Sequence, residues 1–273
     1  MADDLYLGYR GDDANTPFGK FFKPEMASLP GHVTDALHHG PQGGMALLAF
    51  DEAGSIADEG YQQTENGYGV LEDGSYQVSV RTDMPGVTPA MWSWWFGWHG
   101  CDTRRYKLWH PRAHLSAAWK DGANDGKDAG RQGAQRYIGR WSLISEYIGS
   151  SKLNGAIQFV APADMGCPPD SDAAVAICAR LGANDAPVDV GWFVHHVRST
   201  PAGSEMRSRF WMGGPYISVR NAPGVASRAV RPIASRILGN ADTSARNLLV
   251  HCAQEMNHLA GFLPELYAAF GDE

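Results

Sequence analysis

The order of apolar patterns along the chain predicts an α+β helix-grip fold, in which a curved antiparallel sheet wraps a long C-terminal helix. Two observations carry this. From Asn240 to about Phe270, Leu248, Cys252, Leu259, Phe262 and Leu266 recur at helical spacing, so the run reads as an amphipathic helix with its apolar stripe turned inward. Ahead of it, from Asn66, period-two segments separated by Gly- and Pro-marked turns give about six strands around one short helix. Inward-facing residues of a sheet that curves around a helix converge on it and leave a cavity between.

The strands follow in order. Tyr76, Val78 and Val80 alternate with Gln77, Ser79 and Arg81, a half-buried strand. Thr88-Pro89 supplies an N-cap and a first-turn proline for a short helix carrying Met91, Trp92, Trp94, Trp95, Phe96 and Trp98. This aromatic group is either a core plug or, through Trp92 and Trp95, the wall of a ring-binding pocket. Arg104 to His110 reads as a second strand closed by Pro111, with His114 in the loop beyond it. Trp119 to Arg136, rich in Gly, Asp and Lys, reads as an exposed insertion. Tyr137 to Ile148 is a strand whose Ser142, Ile144, Glu146 and Ile148 share a face, which sets a carboxylate among apolar neighbours. Ala156 to Val160, Ala174 to Leu181, Val190 to Arg198 and Glu205 to Met212 complete the series. His195 and His196 are adjacent, so one points into the sheet's cavity and the other away. Gly213 to Leu238 reads as a long irregular connection, Asp242 or Thr243 as the cap of the last helix, and Pro264 as its kink or end near Ala260 to Leu263.

Residues 1–65 have a different composition, loop-rich in Gly, Asp and Pro, with short helix candidates at Val33 to His39 and Met45 to Phe50. They read as an N-terminal appendage or lid on a main domain of residues 66–273. His38 and His39, at the end of the first candidate, read as surface residues, lid residues or ligands.

At 273 residues, with 44% hydrophobic and 19% charged side chains, the chain can bury a full core. A net charge of −7 argues against a nucleic-acid or anionic-membrane partner. The acidic start Met-Ala-Asp-Asp has no apolar targeting region, and no run of 18 apolar residues occurs, so a soluble cytoplasmic protein is expected. Four cysteines without C-x-x-C spacing read as reduced thiols, and Cys252 continues the apolar stripe of its helix.

That stripe is interrupted. His251 and Glu255, one turn apart, occupy the side that should be core. Two polar groups there either bond each other and their neighbours or bind a metal. The arrangement lacks the second histidine of H-E-x-x-H.

Tyr106-Lys-Leu-Trp-His110-Pro-x-x-His114, Ser145-Glu146-Tyr147 and His251-Cys-x-x-Glu255, in this order of elements, resemble the family of 2,4-diacetylphloroglucinol hydrolase and phloretin hydrolase. The resemblance covers residue 66 to the end, and the N-terminal part more loosely. It implies a Bet v1-like helix-grip fold with an N-terminal helical appendage, a plausible homodimer, and zinc-dependent hydrolysis of an aryl–acyl carbon–carbon bond. Carried over, the Zn²⁺ ligands would be His110, Glu146, His251 and Glu255, a nitrogen and oxygen set that suits a borderline divalent metal. Four protein ligands usually mark a closed structural zinc, so turnover would require five-coordination, an expanding shell or a shifting carboxylate. His195, His196 and Tyr106 are the candidates for proton transfer. Trp92, Trp95, His114, Phe210 and Tyr216 are the candidates for holding the phenolic substrate; Phe210 stands where a second family tyrosine is sought, and Tyr216 lies nearby. The competing reading is a non-enzymatic helix-grip carrier of an aromatic ligand.

Overall fold

The computed structural model describes residues 5–122, 131 and 133–272. Its sheet contains β1 (Gly67–Val70), β2 (Ser75–Pro85), β3 (His114–Trp119), β4 (Trp141–Ile148), β5 (Ser151–Val160), β6 (Ala174–Ala183), β7 (Val188–Thr200) and β8 (Gly203–Gly213). The spatial order is β1-β2-β8-β7-β6-β5-β4-β3, and a short β9 (Ser218–Val219) adds to β7. Every neighbouring pair is antiparallel. β3 to β8 therefore form a meander, and β2 closes on its far end.

The remaining elements are helical: α1 (Gly31–His39), α2 (Pro89–Trp98), α3 (Thr103–Trp109), α4 (Gly224–Leu238), α5 (Ala241–Ala260) and α6 (Leu263–Phe270). α5 lies across one face of the sheet against β1, β2 and β4. Its stripe of Leu248, Leu249, Cys252, Met256 and Leu259 is buried in one apolar core with α2 and the inward residues of the strands. This is the helix-grip arrangement expected. Gly261 follows α5, and Pro264 falls in the first turn of α6, where its missing N–H costs nothing.

Three expectations are corrected. Arg104 to His110 is not a strand. Asp102 Oδ1 accepts the Arg104 N–H at 2.8 Å and caps α3, and Arg, Lys and Leu favour the helix over a six-residue alternation. The connection after Gly213 holds α4, whose Pro232 hid it from the pattern. The cap of α5 is Asn240, whose Oδ1 accepts the Thr243 N–H at 3.0 Å. Two smaller differences concern His114, which opens β3 instead of lying in a loop, and Tyr137, which precedes β4. Of the exposed insertion, Trp119 instead ends β3 and is buried, and residues 123–130 and 132 lie outside the described residues.

Both faces of the sheet are covered. Along β7, Phe193 and Val197 enter the core under α5, while Val194 enters a second cluster on the opposite face. That second cluster is closed by Leu48, Ala53 and Ile56 against Cys178, Val194 and Trp211. Trp211 Nε1 donates to Leu48 O at 2.9 Å, and Arg207 Nη1 donates to Ile56 O at 2.6 Å. Glu65 accepts from Arg207 at 2.7 Å and from Arg209 at 2.8 Å, which fastens the segment before β1 to the outside of β8.

Candidate metal centre

α5 presents His251 and Glu255 one turn apart toward the sheet, and both are buried. Opposite them, β3 and β4 pair His114 with Glu146, so these two side chains leave the same face. The four meet. His114 Nε2 lies 3.4 Å from Glu146 Oε2 and 3.4 Å from Glu255 Oε2. His251 Nε2 lies 3.7 Å and 3.6 Å from the same two oxygens. Ligand atoms of His114, Glu146 and His251 all fall within 4.8 Å of one another. Among the described residues, His114 Nε2 has no hydrogen-bond partner. Donors about 2.1 Å from a tetrahedral ion stand about 3.4 Å apart, so the spacing suits atoms that share a central cation.

The surroundings orient the donors. His114 Nδ1 lies 2.9 Å from Tyr106 O, and a carbonyl can only accept, so the proton sits on Nδ1 and the Nε2 lone pair faces the group. The Tyr106 ring lies flat on the His114 ring, centroids 3.7 Å apart and planes 1° apart. Its hydroxyl donates to Glu146 Oε2. His251 hydrogen-bonds the Tyr147 backbone, which fixes its ring as well.

Burial dominates the electrostatics. It pushes the Glu146 carboxyl up to about 7, against the hydrogen bond from Tyr106. Burial, then the Glu146 charge, pushes Glu255 well above the carboxylate range. Burial and the neighbouring histidines hold His114 well below the usual imidazole range, and burial holds His251 at about 4. Two carboxylates and two neutral imidazoles in a dry site are a donor set that lacks only positive charge, which a divalent cation supplies. The residues fit a metal such as Zn²⁺.

Of the four expected ligands the structure brings together Glu146, His251 and Glu255, and it sets His114 beside them. His110 stands outside the group, its ring centroid 5.0 Å from that of His251 and 5.5 Å from that of His114. It lines a cavity of about 250 Å³ beside His251. His114, expected to hold substrate, lies with the other three donors. The geometric reason is α3: once residues 103–109 are helical, His110 terminates the helix, and His114 enters the sheet opposite Glu146.

The adjacent histidines divide as alternation requires. His195 faces the core under α5, tilted on Phe193 with centroids 4.5 Å apart and edge-on to Phe210 at 5.5 Å. Burial holds it at about 3. His196 lies on the β7 face opposite to His195, with burial and then Arg207 and Arg198 holding it at about 4. Tyr216 packs against Phe50, which joins the outer cluster, so it does not belong to the helix-facing side with Phe210. Trp92 is core, its Nε1 donating to Met84 Sδ at 2.9 Å. Trp95 stacks on His99 at 5.0 Å, and His99 stacks on Tyr106 at 5.9 Å, so a file of rings runs from α2 to the metal group. His99 and Ser208 carry no pattern in the sequence that separates them from ordinary core and strand residues.

Residues 47–268 match the family described as DAPG hydrolase PhiG domain. The chain is 31% identical to a 2,4-diacetylphloroglucinol hydrolase of Pseudomonas sp, over 98% of its own length and 92% of that protein. It is 26% identical to the phloretin hydrolase of Eubacterium ramulus, over 96% of its length and 93% of that protein. Among solved structures it is similar to Ara h 8.0201, with 9% identity, a TM-score of 0.34, and coverage of 65% of this chain and 99% of that one. No helix among the described residues is long and apolar enough to cross a membrane. The chain belongs to the DAPG hydrolase family and is an enzyme.

Proposed function

We propose that the chain is a zinc-dependent hydrolase that splits the aryl–acyl carbon–carbon bond of an acylated polyphenol, with His114, Glu146, His251 and Glu255 holding the ion. The observation that carries this is the buried four-donor group with spacings of 3.4 to 3.7 Å. The names of the relatives support the substrate class, a diacylphloroglucinol or a phloretin-like ketone. Residues 66–273 would form the catalytic unit, with residues 1–65 as its cover.

When bound, the ion would polarise the acyl carbonyl and lower the pKa of the attacking water. The rest of the chemistry belongs to the chain. His195, buried on the helix-facing side of β7, takes a proton from a ring hydroxyl and returns one to the ring carbon that bears the acyl group. In that keto form the ring carbonyl is an electron sink. Water adds to the acyl carbon, the carbon–carbon bond breaks, and its electron pair passes into the ring carbonyl to regenerate the phenol. The products are the deacylated phenol and a carboxylic acid. Burial, then the Glu146 charge, raises the Tyr106 phenol well above its usual range, so it remains a donor throughout. With its proton given to Glu146, the hydroxyl oxygen is left to accept from an incoming water and orient it.

Metal analysis of the purified protein, with product identification on acetylated phloroglucinols and on phloretin, tests this reading. Stoichiometric zinc and a carboxylate product are expected. Protein that binds the phenol without metal and returns it unchanged would establish the carrier instead.

A further inference from the structure

We propose that the cavity beside the metal group is a carboxylate-binding vestibule for the acyl half of the substrate, anchored by Arg112. This rests on the hydrolytic reading, because only attack at the acyl carbon makes a carboxylate there. The cavity holds about 250 Å³ and is lined by His251, the residue it shares with the four-donor group. That is room for roughly eight waters, enough for a short acyl chain. His110, Arg112, Asn247 and Gln254 line it, side chains that can each donate through nitrogen, and among the described residues no carboxylate lines it. In a chain of net charge −7, such a lining is a local exception that favours an anion.

A further observation points to the same ligand. Arg112 already holds a carboxylate: its Nη2 donates to Glu25 Oε2, while its Nε donates to Pro24 O at 3.3 Å. Met26, next along the same segment, lines the cavity. The Glu25 side chain is 83% exposed, and an ion pair of that kind is weak, so a carboxylate arriving from the metal side can take its place. Glu25 thus occupies the anchor when no product does, and the segment Pro24–Met26 lies where the product leaves.

Calorimetric titration of the zinc-loaded protein with acetate and with 3-phenylpropanoate, against chloride at equal ionic strength, tests the vestibule without any turnover. Wild type binds both carboxylates. Arg112→Gln weakens that binding by about fivefold or more. Glu25→Gln removes the competitor and tightens it by about two- to threefold. Zinc content and thermal midpoint stay at the wild-type value in both variants, since both side chains are exposed. Equal affinities in the three proteins would place the carboxylate on the metal and overturn the proposal, as would no binding to wild type. Product identification on wild type judges the hydrolytic reaction separately. A wild type that releases a carboxylate while ignoring both substitutions refutes the vestibule alone.

Discussion

His195 Nδ1 lies 2.7 Å from Ser208 Oγ, across the register that pairs these residues on β7 and β8. Both are buried, and Ser208 also hydrogen-bonds the Cys252 thiol of α5. The hydroxyl therefore holds the ring in one rotamer and links it to the helix that carries two of the metal donors. Ser208→Ala should lower kcat by roughly tenfold with zinc content unchanged, and Ser208→Thr should restore most of it. His195→Ala should cost about 10²–10⁴-fold, whereas His196→Ala, on the outer face, should leave kcat close to wild type in the folded fraction. Comparable kcat losses at 195 and 196 would remove the imidazole from the chemistry.

The positions of His110 and His114 relative to the four-donor group give a sharper contrast. His114→Ala removes a donor whose Nε2 is 3.4 Å from two carboxylates, and bound zinc should fall to a small fraction of wild type. His110→Ala should keep its zinc. Elemental analysis of the two variants decides, and full zinc in His114→Ala would restore His110 to the ligand set.

Glu65 is the hinge pin between the N-terminal segment and the sheet. Burial raises its carboxyl, but the hydrogen bonds and charges of Arg207 and Arg209 outweigh burial and hold it below the usual range. Glu65→Gln leaves two buried guanidiniums without a counter-charge. We expect a loss of about 3 kcal/mol, read from the denaturant midpoint at constant slope. A midpoint equal to wild type would show that the clamp contributes nothing.

Acid should unfold the protein through its histidines. Burial holds His99 and His196 at about 4 and His195 at about 3 in the fold, against about 6.5 in the unfolded chain. The unfolded state therefore binds protons first as pH falls. Stability from keeping these rings neutral is present above about pH 6.5 and is lost as pH drops toward 4 and then 3. Thermal midpoints between pH 7 and 4 should decline steadily. Midpoints that rise on acidification would contradict the assignment.

The sequence announced the helix and the strands from β4 to β8, because an amphipathic stripe and period-two alternation are local signals. It also announced His251 and Glu255, because polar side chains interrupt that stripe. What it could not separate was His110 from His114. Both are histidines within one motif, and the choice depends on whether residues 103–109 coil or extend, which Asp102 decides through a cap and not through hydrophobic pattern. α4 escaped for a related reason, since Pro232 stands inside it and Val225 and Ile233 are exposed. The outward role of Tyr216 was equally hidden, because its partner Phe50 is far away along the chain.

The covering of both faces of β8 has a consequence for how the molecule opens. Tyr76, Phe210 and Met212 lie under α5, while Trp211, Arg207 and Arg209 lie under residues 48–65. Amide protons along the β2–β8 and β7–β8 ladders can then reach solvent only when the helix side and the N-terminal side have both let go. Hydrogen exchange should find these amides the slowest in the chain, and a proteolytic nick between residues 48 and 65 should quicken them from the face remote from the four-donor group.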